Sequence, residues 1–230
     1  LFAREGAKVG ILDVPSSAGA AVADELRAEG FEALFCPADV SQPDQVAAAV
    51  NAVENQFGSI TALMNHAGIL AAGPFLETSV EEWDRIMAVN VRGMFLVTRA
   101  VLPGMIAAGG GSIVSTSSIS GVVGTPMEVL YCTSKGACHM FARALAVEFR
   151  DRNIRSNAVC PGFIATDHGR RELSLLARHG VDVSDAAIAA DQGRMCEPEE
   201  VASAALFLLS DDASFVNGAH LFVDNGYTAI

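Results

Sequence analysis

A chain of 230 residues that is 51% hydrophobic but only 7% aromatic and 18% charged has the aliphatic content for one large α/β domain covered on both faces of its sheet. Its 15 basic residues face 27 acidic ones, a formal charge of −12, and no segment gathers the positive charge, which argues against a nucleic-acid or anionic-membrane surface. Five scattered cysteines without a C-x-x-C pair, no apolar run of about 18 residues, and a start without the basic flank of a leader peptide point to a reducing, cytoplasmic setting.

Strand and helix patterns alternate along the whole chain. Val9 to Leu12 is a short apolar strand, followed by a helical stretch from Ser16 to Glu29 that stops at Gly30. Ala33 to Cys36 is the next strand. Ser41 is the expected cap of a helix with Pro43 near its start and Gly58 at its end. Ile60 to Asn65 reads as a strand, and Ser79 with Glu82 has the spacing of a capping box opening a helical region to about Ala108.

Ser112 to Thr116 is β-branched and follows three glycines. Residues 128 to 152 carry apolar side chains at helical spacing: Ala137, Met140, Phe141, Ala144 and Leu145. Ser156 to Cys160 is a strand ending at Pro161-Gly162, and residues 167 to 196 look irregular. Glu199 to Leu209 is helical and His220 to Val223 is the last strand. Such alternation predicts a single doubly wound domain over 1–230, with a parallel sheet and helices on both faces.

In sheets of this kind ligands bind at the carboxyl ends of the strands. Asp13 closes the first visible strand, where an acid can accept from ribose hydroxyls; with Val14 and Pro15 rather than a base after it, NAD is favoured over NADP, which is not excluded. Tyr131 and Lys135 stand four residues apart on a helix, hence on one face. A nearby ammonium stabilises tyrosinate, the state needed for acid–base work on an alcohol. Ser118, thirteen residues before Tyr131, lies just beyond a strand and can share the same substrate oxygen. The five histidines show no ligand spacing, so no catalytic metal is expected.

With these residues in order, the chain resembles the short-chain dehydrogenase/reductase superfamily over essentially its whole length. Asp39-Val40 resembles the pair that contacts adenine, and Asn65-His66-Ala67-Gly68 is similar to the family's N-N-A-G. Asn90 matches the helix asparagine of the proton relay, and Ser117-Ser118-x-x-Gly121 matches the serine motif. Pro161-Gly162-Phe163-Ile164-Ala165-Thr166 resembles the nicotinamide loop, with Ile164 and Thr166 at the amide end, and Val223-Asp224-Asn225-Gly226 resembles a terminal V-D-G-G. The resemblance implies hydride transfer between NAD(H) and a secondary alcohol/ketone pair. Tyr131 is then the acid/base, Lys135 lowers its pKa and binds the ribose, Ser118 positions the oxygen, and Asn90 holds a relay water. It also implies a substrate lid over about 167–196 and a homotetramer or homodimer.

Three departures accompany it. His66 replaces an Asn, and is expected to brace the sheet through a ring nitrogen. Asn225 replaces a Gly, which Asn tolerates where φ is positive. The first strand and Gly-rich turn of the pattern are absent from the sequence, so the strands ending at Asp13 and Asn65 are expected to flank a missing central one. That last departure favours the alternative of a catalytically silent homologue or fragment acting as a binding or assembly protein. The retained Ser118, Tyr131, Lys135 and Asn90 favour an enzyme. Arg170 and Arg171 read as a solvated helix face, and Leu173, Leu175 and Leu176 hint at a partly apolar substrate.

Overall fold

The computed structural model describes residues 1–229. The first β–α–β unit is β1 (Val9–Asp13), α1 (Gly19–Ala28) and β2 (Ala33–Pro37); α2 (Pro43–Phe57) leads to β3 (Ala62–Asn65). Then follow α3 (Val80–Met87), α4 (Met94–Ala107), β4 (Gly111–Thr116), α5 (Val129–Glu148) and β5 (Ile154–Pro161). The chain continues through α6 (Asp167–Arg178), α7 (Asp185–Gln192) and α8 (Pro198–Leu209) to β6 (His220–Val223). Every pairing among these strands is parallel.

The sheet is in two pieces, β1–β2 and β3–β4–β5–β6. β1 and β3 do not pair; they face one another across a cavity of about 650 Å³. This break falls where the sequence pattern expects a central strand. The helices hold the two pieces in one body. Val40, Val46 and Val50 share a core with Leu63, Val97, Val101, Met105, Ile113 and Ile154, and Leu12 of β1 packs against it. Each fully buried aliphatic side chain there contributes roughly 1.5–3 kcal/mol of burial free energy.

Local signals explain most boundaries. Ser79 Oγ accepts from the Glu82 N–H at 3.0 Å, as the capping-box spacing predicts, and α3 and α4 run on as one helix through a π turn at Ala88–Gly93. That helix, Val80–Ala107, is long and apolar enough to cross a bilayer by length and composition. Its apolar side chains Ile86, Val97, Val101, Leu102 and Met105 are nonetheless buried within the protein. α2 starts after Gln42 rather than Ser41, because the Ser41 hydroxyl accepts from Gln42 Nε2 instead of a helix N–H. α1 begins three residues later than Ser16, with Ser17 Oγ accepting from the Gly19 N–H. The helix expected to reach 152 ends at Glu148 and gives way to a 3₁₀ turn and Asn153 in the left-handed region, φ 56°.

Residues 167–196 are more ordered than their sequence suggests. Thr166 Oγ1 caps α6 by accepting from the Gly169 N–H, and Ser184 Oγ caps α7 through the Ala187 N–H. Asn225 sits at φ 49°, the backbone state that lets Asn stand in for Gly.

Candidate active site

The strand ends of β3, β4 and β5 and the first turns of α5 bring the candidate groups together. β4 ends at Thr116, whose carbonyl accepts from Lys135 Nζ at 2.9 Å, while Ser117 Oγ donates to the Lys135 carbonyl at 2.9 Å. Ser118 caps the following turn, its Oγ accepting from the Ser120 N–H at 3.1 Å, and its hydroxyl lies near the Tyr131 phenol. Tyr131 and Lys135 lie on one face of α5, with Nζ 5.5 Å from the centre of the phenol ring. Both side chains are buried.

The electrostatics at Tyr131 differ from the expectation. Burial, followed by the acidic groups of Glu172 and Glu128, holds its pKa well above the ordinary range, and the nearby Ser118 hydroxyl opposes this only in part. Burial also pulls Lys135 below its usual value. The ammonium is anchored to Thr116 O and lies over the ring.

Asn90 lies in the π turn, a local widening often found at functional sites. Its Oδ1 accepts from the Ile69 N–H at 2.8 Å, and Nδ2 donates to Ile69 O and to Ser134 Oγ at 2.8 and 3.0 Å. A Cβ on Gly68 would stand 3.5 Å from Asn90 Oδ1 and 3.6 Å from Lys135 Nζ. The Gly68 backbone thus lies close to both side chains, which are near neighbours in space.

Most of the candidate cofactor residues fall in two groups. Asp13, Val40, Asn65, Ala67 and Lys135 line the cavity between β1 and β3, as does the catalytic candidate Asn90, whereas Asp39, Gly68 and Tyr131 do not. Asp13 Oδ1 accepts from the Val14 N–H at 2.7 Å, and Asp39 Oδ1 accepts from the Ser41 N–H at 2.9 Å. Asn65 Nδ2 donates to Thr98 Oγ1 at 2.9 Å, which fixes the end of β3 to α4. His66 Nδ1 lies 3.0 Å from Thr116 Oγ1, bracing β3 against β4 through a ring nitrogen as expected. Pro161, Gly162, Ile164 and Thr166 form the second group. They do not line this cavity: Gly162 bonds Val223 O, Ile164 bridges to Cys196, and Thr166 caps α6. The residues at hand suit the two ends of a dinucleotide, with the Asp13 carboxylate as acceptor for ribose hydroxyls and Lys135 as a donor ammonium.

Three side chains near the site were not legible in the sequence. Gln192 is 1% exposed; its Oε1 accepts from the Phe163 N–H and its Nε2 donates to Phe163 O and Arg194 O, so one amide moors the 161–166 loop to α7. Glu128 precedes α5 and follows Met127, whose φ of 65° turns the chain inward. Glu172 on α6 lies within hydrogen-bond reach of the Glu128 carboxyl. Burial and then the Glu128 carboxylate push Glu172 up to about 8, against the pull of Lys135. Arg170 and Arg171 point to solvent, Arg170 pairing with Asp167 at 3.4 Å. Leu176 is buried and lines a small cavity of about 70 Å³ with Thr125, Phe163, Ile188 and Tyr227.

A parallel α/β sheet with Ser118, Tyr131 and Lys135 gathered at its strand ends defines a Rossmann-type protein. The family described as enoyl-(acyl carrier protein) reductase matches residues 1–228. The cyclopentanol dehydrogenase of Comamonas sp. (strain NCIMB 9872) is 43% identical over 229 residues, which cover 100% of this chain and 90% of that relative. Among solved structures, levodione reductase matches with a TM-score of 0.93 at 34% identity, covering 99% of this chain and 90% of that one. A gluconate 5-dehydrogenase from Burkholderia cenocepacia J2315, in complex with NADP and tartrate, gives a TM-score of 0.90 at 32% identity over 100% of this chain and 88% of that one. The chain belongs to the short-chain dehydrogenase/reductase family.

Proposed function

We propose that this chain is an NAD(H)-dependent oxidoreductase that interconverts a secondary alcohol and a ketone, with Tyr131 as the acid/base. The observation that carries the reading is the convergence of Ser118, Tyr131 and Lys135 at the end of β4, with Asn90 behind them. The bound nicotinamide supplies or accepts the hydride. Ser118 Oγ holds the substrate oxygen in line with the phenol, and the Tyr131 O–H gives its proton to a ketone oxygen as charge develops there. In the direction of oxidation Tyr131 takes the proton back, and Lys135 with Asn90 carries it toward solvent. The similarity to a cyclopentanol dehydrogenase supports a small cyclic alcohol as a probe substrate.

Asp13 supports NAD as the nucleotide. Its carboxylate repels the additional phosphate of NADP, and Val14 and Pro15 offer no positive charge to offset this. In fluorescence titrations the 230-residue chain is expected to bind NADH at least ~10-fold more tightly than NADPH, the equivalent of one favourable charge contact. Equal affinities, or a preference for NADPH, contradict the role given to Asp13.

A further inference from the structure

The loop that leaves β5 is gripped by a side chain from the far end of α7. Gln192, the last residue of that helix, is 1% exposed. Its Oε1 accepts from the Phe163 N–H at 2.8 Å, and its Nε2 donates to Phe163 O at 2.8 Å and to Arg194 O at 2.9 Å. One carboxamide thus offers Phe163 the acceptor and the donor that a neighbouring strand would offer. Backbone groups continue the pattern. The Cys196 N–H donates to Phe163 O and the Ala165 N–H donates to Cys196 O, both at 2.8 Å, and Ile164 and Cys196 form a parallel bridge. Phe163 O therefore uses both of its lone pairs.

The grip has a fixed base. Asn225, in the turn after β6, donates from Nδ2 to Gln192 O at 2.9 Å, and Asp224 holds that turn through the Gly226 N–H, the Thr228 N–H and the Thr228 hydroxyl. The loop passes between the two. A Cβ on Gly162 would collide with Gln192 Oε1 and stand 3.5 Å from Asp224 Cα. Burying a glutamine freezes its rotors and desolvates its amide, costs that an apolar side chain at 192 would avoid. What the amide supplies is a fixed place for the Phe163 backbone.

We infer that Gln192 is a positioning residue for the nicotinamide: through Phe163 it holds the 161–166 loop, with Ile164 and Thr166, in the shape that receives the carboxamide end of the cofactor before the cofactor arrives. The inference rests on the dehydrogenase reading above. A loop already in its bound shape spares the ordering cost of binding, so the effect falls on cofactor affinity. It falls on the nicotinamide end alone. Asp13 and Val40, assigned to the other end, line the cavity between β1 and β3, which neither Gln192 nor Phe163 touches.

The test measures the affinity of the full chain for two probes by calorimetry: NADH, and ADP-ribose, which is the same dinucleotide without its nicotinamide. Gln192→Leu removes all three side-chain bonds and is expected to weaken NADH about tenfold, the scale of ordering a released loop, while ADP-ribose stays within about twofold. Gln192→Glu keeps an acceptor for the Phe163 N–H but loses the donor; it is expected to fall between the two and serves if the leucine variant does not fold. In the cofactor-free chain, hydrogen exchange across 162–166 is expected to quicken in Gln192→Leu and less so in Gln192→Glu. A merely structural role for Gln192 would weaken both probes together, and that outcome overturns the inference. So does a ratio of the two affinities that neither variant changes. Both of these results leave the dehydrogenase reading in place, whereas an unsubstituted chain that does not bind NADH overturns the two together.

Discussion

Replacing Tyr131 by phenylalanine is expected to lower turnover of a secondary alcohol by about a thousandfold, the scale of a lost general acid/base, while NADH affinity stays within about threefold. The phenol oxygen is the only part removed, and the ring continues to fill its buried place beside Lys135. Lys135 keeps its anchor on Thr116 O, and the cavity that holds Asp13 and Asn65 is not touched. The loss should therefore fall on kcat. A Tyr131→Phe variant that turns over near the unsubstituted rate removes Tyr131 from the mechanism; one that loses NADH binding as well makes it part of the binding site instead.

The second large effect is in α6. Glu172 is raised to about 8 in the folded chain, against the ordinary carboxylate value it recovers when α6 lifts away. The groups facing it are Glu128, Lys135 and Tyr131. Because its folded pKa is raised, the contribution to docking of α6 is fully present below about pH 4.5 and is lost as pH rises through about 8. Hydrogen exchange across 167–178, corrected for intrinsic rates, should show protection falling about a hundredfold between pH 5 and pH 9, a figure reduced from the ideal linkage value to allow for solvent screening. Glu172→Gln keeps a donor toward Glu128 at every pH and should flatten the curve. A flat curve in the unsubstituted chain, or the same curve in Glu172→Gln, contradicts this role for Glu172.

The parts of this molecule that could be read from the sequence are those set by short-range geometry. Tyr131 and Lys135 share a face because residues four apart do so on any helix. The strands around Val9, Ser112 and Ser156 announce themselves as apolar runs between turn residues, and Ser79 signals the start of α3 by its spacing to Glu82. What remained hidden depends on chain segments far apart in sequence. Glu128 and Glu172 meet only because α6 folds back over the start of α5, and nothing in either segment marks it. Gln192 reads as an ordinary polar residue at the end of a helix until its amide is seen to hold both backbone groups of Phe163. Thr166, read as a cofactor contact, caps α6, and the caps at Thr166 and Ser184 were the available signals that 167–196 is helical. The upward shift of Tyr131 was illegible for the same reason, since it comes from burial and from those distant carboxylates rather than from Lys135.

The dehydrogenase reading implies direct transfer of a hydride between substrate carbon and nicotinamide. The measurement that tests it is incubation of the chain with NAD⁺ and cyclopentanol deuterated at the carbinol carbon, followed by mass analysis of the reduced nucleotide. One deuterium in each NADH formed is expected, with a primary isotope effect on the chemical step and no label in Tyr131→Phe reactions above the residual rate. NADH formed without label, or no NADH at all from this alcohol, contradicts direct transfer.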